Sequence, residues 1–378
     1  MLGAVQAVQL RSLQSSTLND FLSDLGLCLT AQKEMVIKMK NPQIVFTKKN
    51  TAELMEAGDR EVRVHEVRVR TVISTISPGT ERANITGDPN ISITAGEDVK
   101  IGFPRFGGYS SAGIVEEVGK LVTSLRPGDR VVMFESLHKL YNILPESNVV
   151  KIEEDDISFE EAAICHIGNF PLAAIRKTRL EIGESAMVMG LGTLGQLAAV
   201  YLRAAGAAPV IVVDPVKERR EKTLRFGADY ALDPTEKGFC ERVRALSGGG
   251  INAAIEVTGL GIGLEECLDC MQKLGRVALL GCTRNKNFTI DYYRKVHGPG
   301  IMLIGAHTAA RPEHDSYPGH FTHRDDIKAQ LKLIALKRIN LKEMIDETHS
   351  PDACAEVYSR LVQDKNFPTF VQFDWRRV

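Results

Sequence analysis

Three glycines at the spacing G-x-G-x-x-G carry the clearest chemical signal in this chain. Gly190, Gly192 and Gly195 lie in MVMGLGTLGQLAAV, after an apolar run typical of a strand and before a run with helical spacing. In that context the first glycine permits a tight turn, the second lets the backbone approach a pyrophosphate, and the third lets the helix pack on the sheet. Thr193 and Leu194 begin the helix, whose N-terminal N–H groups attract phosphate. Together these five residues predict a dinucleotide-binding loop.

A carboxylate ends the next predicted strand. Asp214, in PVIVVDP, lies 19 residues beyond Gly195. At this position a carboxylate accepts hydrogen bonds from an adenosine ribose and repels a 2′-phosphate, which favours NAD over NADP. Arg219 and Arg220 would weaken that preference, unless they only form a solvated helix face. The alternative is a glycine turn that binds nothing, and a nucleotide site by itself does not define a reaction.

Composition excludes several classes of partner. The chain has 378 residues, of which 44% are hydrophobic and 25% charged, with a net charge of −1. This length predicts two domains, and the absence of a basic excess argues against nucleic acid and acidic lipid as partners. No run reaches the roughly 18 apolar residues of a membrane span.

The seven cysteines are scattered through the chain. Cys267 and Cys270 form a CLDC motif with no second pair at metal-binding distance, and its surroundings have helical spacing, so buried thiols are favoured over a metal site. Reduced cysteines are typical of a cytoplasmic protein.

The elements that must position the glycine loop follow two patterns. Alternating residues and Pro-Gly turns predict short strands from residue 40 to about 165. Between 185 and 305, apolar runs alternate with helical segments, as in a parallel sheet covered on both faces. At the junction, Ser158 and Glu161 have the spacing of a helix capping box. The fold class predicted is α/β.

These patterns divide the chain into a β-rich domain interrupted by a nucleotide-binding domain. We assign residues 39–168 and 309–378 to the β-rich domain, and residues 169–308 to a doubly wound domain of alternating strands and helices. Residues 1–38 are predicted to form an extension outside the fold, with a short helix beginning near Ser16 or Thr17.

Ordered motifs along the chain resemble the medium-chain dehydrogenase/reductase superfamily, the alcohol-dehydrogenase-like enzymes. The resemblance covers residues 39 to 374 and rests on AGIVEEVG, PGDRVV, GLGTLG, VVD, RFGADYALDP and the strand ends EVTG and LLGC. It implies a GroES-like catalytic domain, a Rossmann domain that binds NAD, and a cofactor site that includes Thr258 and Gly281. The variants SPGTE and GYS are similar to a sub-branch of sugar- or pigment-related dehydrogenases, including bacteriochlorophyllide dehydrogenase.

The resemblance also locates the positions where zinc-dependent relatives hold their metal. The Gly-His-Glu of those enzymes aligns with Gly-Tyr-Ser, which puts Tyr109 where the ligand histidine would be. The first zinc cysteine aligns with Ser77, and the third ligand with Cys165 or His166, depending on a one-residue shift. The four-cysteine structural lobe is absent after PGDRVV, since MFESLHKLYNILPE contains no cysteine. Catalytic zinc needs about three protein ligands, so neither catalytic nor structural zinc is expected.

Without a metal, the proton chemistry must come from side chains. Tyr109 and His166 map to the metal position and would face the nicotinamide, with Ser77 beside them. A histidine that titrates near neutrality can shuttle a proton, and a phenol can donate to a developing alkoxide. The alternatives are a tyrosine that only fills the vacated pocket and a core histidine bonded to backbone. Thr80 and Glu81, in the SPGTE turn, are further polar candidates for substrate binding.

A polar, histidine-rich segment, residues 307–326, supplies the remaining candidates. His307 is a candidate acid–base group, and Arg311 and His314 are candidates for binding a polyol, a sugar or a carboxylate. Adventitious metal binding or a solvated loop would explain the same composition. The arginine that reaches the cofactor pyrophosphate in relatives aligns with Pro368, so that contact is either lost or supplied by Lys365 or Arg311.

These observations predict an NAD-dependent, zinc-independent oxidoreductase that transfers a hydride between nicotinamide and a secondary alcohol or ketone, with sugars and polyols as the favoured substrates. An ene or quinone reductase of the same fold, and a non-catalytic nucleotide-binding protein, are the alternatives. The apolar run IMLIGAH, at a predicted sheet edge, predicts a homodimer, since relatives pair these edges. No nucleic acid or membrane partner is expected.

Overall fold

The computed structural model describes residues 41–88, 102–283 and 287–378. The predicted N-terminal extension and its helix lie outside the described residues, as does Cys28. Within the described ranges, no helix has both the length and the apolar character needed to cross a bilayer.

The strands of the described residues are β1 (Pro42–Lys48), β2 (Thr51–Glu56), β3 (Glu66–Thr75), β4 (Arg105–Phe106), β5 (Ser110–Val118), β6 (Arg130–Phe134), β7 (Tyr141–Pro145), β8 (Val149–Lys151), β9 (Ala186–Met189), β10 (Val210–Val213), β11 (Tyr230–Leu232), β12 (Ile251–Glu256), β13 (Met271–Leu279), β14 (Met302–Gly305), β15 (Glu347–His349) and β16 (Val371–Asp374). The helices are α1 (Pro78–Thr86), α2 (Phe159–Ala162), α3 (Cys165–Thr178), α4 (Thr193–Ala204), α5 (Lys217–Phe226), α6 (Phe239–Leu246), α7 (Gly261–Asp269), α8 (His323–Ala335) and α9 (Cys354–Gln363).

The strands β9 to β14 form one six-stranded parallel sheet in the order β11-β10-β9-β12-β13-β14. This is the doubly wound order, which places the ends of β9 and β12 at the point where the strand order reverses. Its central strands are apolar along their whole length because helices cover both faces. The α/β class and its Rossmann arrangement are therefore confirmed.

The β-rich part of the chain forms two sheets. A seven-stranded sheet runs β15-β16-β3-β5-β6-β8, with β7 also paired to β3, and a three-stranded sheet runs β2-β1-β4. The strands β15 and β16 return from the C-terminal segment to join strands from the N-terminal half, as the interrupted pattern predicts. The domain limits themselves remain predictions.

Helix α3 connects the two larger sheets. Val72 and Ala112 from the seven-stranded sheet belong to the same buried cluster as Val188 and Val212 from the six-stranded sheet, and Ile167 of α3 lies among them. The predicted capping box precedes this helix: Ser158 accepts from the Glu161 N–H at 3.3 Å and begins α2. The first residues of α3 are therefore held at the junction between the sheets.

The structure corrects one predicted element and agrees with the expectation for its cysteines. The helix predicted over LEECLDCMQKLG ends at Asp269, and Met271 already lies in β13. The Ile251 N–H donates to the Cys270 carbonyl at 3.0 Å, so sheet pairing replaces the helical bonds there. Cys267 and Cys270 are free, buried thiols, and burial raises the pKa of both.

Candidate active site

The glycine loop between β9 and α4 has the geometry of a phosphate cradle. Gly190 has a φ of +97°, which favours glycine, and a Cβ on Gly195 would lie 1.9 Å from the Gly190 carbonyl oxygen. A Cβ on Gly192 would meet nothing within 4 Å, so open space faces this residue. No side chain caps the start of α4, which leaves its N-terminal N–H groups to a ligand. These residues fit a dinucleotide.

Asp214 connects this loop to the end of β10. Its carboxylate is buried and accepts from the N–H of Leu191 at 2.7 Å and from the N–H of Val216 at 2.8 Å. The Arg219 guanidinium lies 3.9 Å away. A carboxylate can accept about four hydrogen bonds, so two backbone donors still leave capacity for a ribose.

The other predicted cofactor residues lie around the loop or its helix. The Thr193 hydroxyl donates to the Thr369 carbonyl at 2.6 Å, and Leu194 packs against the core. A Cβ on Gly190 would lie 2.9 Å from the Thr258 methyl group, and one on Gly281 would lie 2.3 Å from a backbone nitrogen in the strand end that carries Thr258. The strand ends that carry Thr258 and Gly281 are therefore in contact with each other, and the Thr258 end lies beside the glycine loop.

The residues at the relatives' metal position meet where several elements begin. Ser77 immediately precedes α1, Tyr109 immediately precedes β5, and His166 is the second residue of α3. The Tyr109 hydroxyl donates to the Ser77 Oγ at 2.6 Å, and the Tyr109 and His166 rings are perpendicular with centroids 5.5 Å apart. The structure thus brings together Ser77, Tyr109 and His166.

Cys165, the alternative at this position, is directed elsewhere. Its Sγ lies 3.7 Å from the Glu161 carbonyl, one turn back, and it is fully buried in the core. Burial raises the pKa of this thiol. Since neighbouring residues of a helix point about 100° apart, only one of the pair can face Tyr109, and His166 does so.

Three more rings enclose the His166 imidazole. The centroids of Phe134 and Phe170 both lie 5.4 Å from that of His166, and His323 lies 5.0 Å from it. His323 belongs to the histidine-rich segment but was not among the residues predicted for the site. It is brought here by the first turn of α8.

The apolar packing leaves these groups neutral near pH 7. Burial raises the pKa of Tyr109 and lowers the pKa of His166. Burial, together with Arg311 and His166, lowers the pKa of His323 to about 3. An uncharged phenol and two uncharged imidazoles therefore surround the position that zinc occupies in relatives.

Glu135 is a site residue that the sequence analysis missed. It follows β6 with a φ of +57°, an uncommon conformation for a residue with a side chain, and its carboxylate lies 3.5 Å from His166 Nε2. Its side chain is 64% exposed, so it connects the buried ring with solvent. The imidazole beside it lowers the pKa of Glu135. Its place three residues after PGDRVV, immediately past the end of a strand, was the available signal.

The structure does not support substrate binding by Arg311. Its guanidinium is 5% exposed, contacts Asp326 at 3.2 Å and donates to the Asn169 carbonyl at 2.9 Å. Asp326 in turn binds Arg176 at 2.9 Å, which completes a buried ion triad. A guanidinium with these partners cannot grip a substrate carboxylate or the pyrophosphate.

Glu81 also binds partners inside the protein. It is buried and binds His138 at 3.1 Å, the Ser77 N–H at 2.9 Å and the Tyr358 hydroxyl. These partners fix the turn that presents Ser77. Glu81 therefore positions that turn, and the predicted contact between Glu81 and substrate is not supported. Thr80, by contrast, is exposed, and its hydroxyl lies beside that of Tyr109.

The remaining candidates show no contact with this site. His307 accepts from the Ala309 N–H at 3.1 Å within a local turn, and His314 is exposed. Lys365 is exposed, and its carbonyl accepts from Arg219. Part of the segment lines an open depression with Lys177, which lies eleven residues along α3 from His166, or about 16 Å.

Comparisons with known proteins agree with this architecture. Residues 193–315 match the family model of the zinc-binding dehydrogenases. The chain is 25% identical over 320 residues to D-guloside 3-dehydrogenase of Escherichia coli, covering 80% of this chain and 91% of that protein. It is 29% identical over 231 residues to L-threonine 3-dehydrogenase of Pyrococcus horikoshii, covering 53% and 66%.

A solved structure extends the likeness to most of the described chain. Benzyl alcohol dehydrogenase from Acinetobacter calcoaceticus superposes with a TM-score of 0.75 at 19% identity, covering 89% of this chain and 99% of that one. These relatives support an alcohol-dehydrogenase-like oxidoreductase, and the chain is similar to the zinc-binding dehydrogenases of the medium-chain dehydrogenase/reductase superfamily.

Proposed function

We propose that this protein is an NAD-dependent, zinc-independent dehydrogenase of secondary alcohols, with sugars, glycosides and polyols as its substrate class. The observation that carries the proposal is the direct hydrogen bond between Tyr109 and Ser77 at two of the three metal-ligand positions. The names of the guloside and threonine 3-dehydrogenases support a secondary alcohol as the reacting group. A panel of such alcohols with NAD, followed by absorbance of the reduced cofactor, tests the activity.

The residues at the metal position do not fit zinc. Oxygen ligands about 2.0–2.2 Å from a tetrahedral ion lie about 3.4 Å apart, because the ion separates them. The hydroxyl oxygens of Tyr109 and Ser77 are 2.6 Å apart and share a proton instead. Among the described residues, no group of three or more histidine, cysteine, aspartate or glutamate side chains could hold a metal ion.

Neutral hydrogen-bond donors offer a substitute for an ion at the substrate oxygen. When bound, the nicotinamide accepts or returns the hydride. The Tyr109 hydroxyl donates to Ser77, which leaves the Ser77 hydroxyl proton free to bind a substrate oxygen. The His166 ring packs edge-on against the Tyr109 ring, with centroids 5.5 Å apart. Donors held in an apolar site stabilise an alkoxide more strongly than water does. The hydroxyl proton that the alcohol loses on oxidation would pass to the Glu135 carboxylate, which is exposed at the edge, and from there to solvent.

Zinc content tests the proposal directly. We expect the purified protein to carry well under one zinc per chain by mass spectrometry of the metal, and its turnover to survive a chelator. The double variant Ser77→Cys with Tyr109→His restores the ligand types of the relatives beside His166 and is the positive control for zinc uptake. Stoichiometric zinc in the natural protein, with activity lost to the chelator, would show that the ligands lie elsewhere.

Cofactor preference should follow Asp214. We expect NAD to bind at least about tenfold more tightly than NADP, because a 2′-phosphate would face a carboxylate of like charge. Asp214→Ala should reduce the difference between the affinities for NAD and NADP. Asp214→Asn removes the charge but keeps a hydrogen-bonding carbonyl of the same shape, so it shows how much of the preference is due to charge. Calorimetric titration with both cofactors measures the ratio. Equal affinities for the natural protein would contradict the assignment.

The edge of the six-stranded sheet predicts the assembly. In β14, Met302 is 52% exposed and Leu303 is 39% exposed, although both are apolar and lie on an edge strand. Edge strands of this kind are normally covered, and pairing across a two-fold axis covers both at once. We expect a homodimer by sedimentation at micromolar concentration. Met302→Lys should shift it toward monomer, whereas a monomeric natural protein would refute the prediction.

A further inference from the structure

A chain of buried side-chain amides connects the core to His166. The Tyr201 hydroxyl donates to Gln330 Oε1 at 2.6 Å, and Gln330 Nε2 donates to Asn169 Oδ1 at 2.7 Å. Asn169 Nδ2 then lies 3.4 Å from His166 Nδ1. Tyr201, Gln330, Asn169 and His166 are all buried. They come from α4, α8 and α3, so the chain exists only in the folded protein.

Backbone carbonyls determine the orientation of the Gln330 amide. Its Nε2 lies 2.9 Å from the Cys165 carbonyl oxygen and 3.1 Å from the Asp326 carbonyl oxygen. A carbonyl can only accept, so the amino group must face these two atoms and Oε1 must face Tyr201. The reversed amide would place oxygen against oxygen at both contacts.

The orientation of Asn169 follows from that of Gln330. Asn169 Oδ1 must face the Gln330 amino group, and its Nδ2 faces the His323 carbonyl oxygen at 3.1 Å. A flipped Asn169 would place its amino group against the amino group of Gln330 and its oxygen against the His323 carbonyl oxygen. The second Asn169 N–H faces both His323 Nδ1 at 3.3 Å and His166 Nδ1 at 3.4 Å, and the two nitrogens share it as a donor. A proton on His166 Nδ1 would point at this amino group, so in the neutral ring the proton is on Nε2.

The Nε2–H that results is a buried donor without a hydrogen-bond partner among the described residues. The Glu135 carboxylate lies 3.5 Å from this nitrogen, at the limit of a hydrogen bond. A buried donor is costly to leave unpaired, and such groups call for a ligand or a catalytic role. The ring that carries this donor packs edge-on against Tyr109, with centroids 5.5 Å apart, and Tyr109 in turn donates to the Ser77 hydroxyl proposed to bind the substrate oxygen.

We propose that Gln330 and Asn169 are positioning residues that hold His166 as the neutral Nε2–H tautomer, so that His166 donates a hydrogen bond to the substrate oxygen and does not act as a base through Nδ1. The donation to substrate rests on the proposed function, but the tautomer is a property of the free protein. Neither residue touches substrate in this assignment. Both act through the ring that they orient.

Nuclear magnetic resonance of the free protein tests the tautomer. In protein labelled with ¹⁵N-histidine, long-range ¹H–¹⁵N correlations distinguish Nε2–H from Nδ1–H, and the His166→Ala variant identifies the signal. We expect the Nε2–H pattern at pH 7.5. An Nδ1–H or doubly protonated ring would overturn the proposal, whatever the turnover of the enzyme.

Asn169→Asp tests whether the Asn169 amide determines the tautomer of His166. The carboxylate keeps an acceptor for Gln330 but offers only oxygen to His166, so the ring should become protonated at Nδ1. We expect kcat to fall about 10²-fold, the loss typical of removing one aligned donor, while NAD affinity stays within about twofold. An Nε2–H ring in Asn169→Asp would refute the positioning role.

Tyr201→Phe is the matched control. It removes the hydroxyl at the far end of the same buried chain, yet the Cys165 and Asp326 carbonyls still orient Gln330. We therefore expect the Nε2–H pattern to persist, even if stability falls. A change of tautomer in this variant would show that packing, not amide orientation, controls the ring. If no alcohol is oxidised but the tautomer is Nε2–H, the proposed function fails and the positioning survives.

Discussion

His166→Ala is expected to lower kcat by about 10²–10³, because the site loses a donor aligned with the developing charge on the substrate oxygen. Tyr109→Phe should also lower kcat substantially, since its hydroxyl orients Ser77. The affinity for NAD should change by less than about threefold in both variants, because neither residue touches the glycine loop. Steady-state kinetics with the best substrate, together with titration of NAD, separates the two quantities.

Cys165→Ala is the matched control for this prediction. It alters the preceding residue of the same helix, whose thiol faces the core, so kcat should stay close to that of the natural protein. Unchanged turnover in both His166→Ala and Tyr109→Phe would show that neither side chain acts on the substrate oxygen. The claim about zinc would be unaffected by that outcome.

The same groups predict a flat pH profile. Burial raises the pKa of Tyr109 above its ordinary value of 10.0 and lowers the pKa of His166 below its ordinary value of 6.5. Neither group therefore changes charge between about pH 7 and 9. We expect kcat to show no ionisation attributable to either residue across that range, and the two variants should leave the shape of the profile unchanged.

Asp326→Asn is expected to reduce the free energy of unfolding by about 3–5 kcal/mol, because it leaves two guanidinium groups without their shared counter-charge. The Asp326 side chain is fully buried, Arg311 is 5% exposed and Arg176 is 25% exposed, so water cannot replace the lost carboxylate. The change keeps the shape of the side chain. The loss is therefore one of charge pairing and not of packing.

Urea denaturation measures this difference, provided that the slope with denaturant is unchanged. The control is Glu236→Gln, which breaks an ion pair with Arg242 in which both side chains are 52% exposed. An exposed pair contributes about 0–1 kcal/mol, so this variant should unfold close to the natural protein. Equal losses in the two variants would mean that the buried triad contributes little beyond an ordinary surface pair.

The sequence by itself determined the features that depend on local order. The G-x-G-x-x-G spacing between a strand and a helix predicted the nucleotide loop, and its positive φ at Gly190 follows from that spacing. The change of hydrophobic period predicted the parallel sheet and the returning C-terminal strand. Motif order also located Ser77 and Tyr109, which the structure brings within hydrogen-bond distance.

Only the tertiary structure decided which polar groups are free to act. Arg311 and Asp326 are close in sequence, but Asn169 meets Gln330 across 161 positions and Glu81 meets Tyr358 across 277. Whether a side chain faces a cleft or an internal partner depends on such distant packing, which local periodicity does not record. For that reason the sequence left Cys165 and His166 as alternatives, missed Glu135, and offered Arg311 and Glu81 for substrate. Burial and pairing in the folded chain assign each of them its environment.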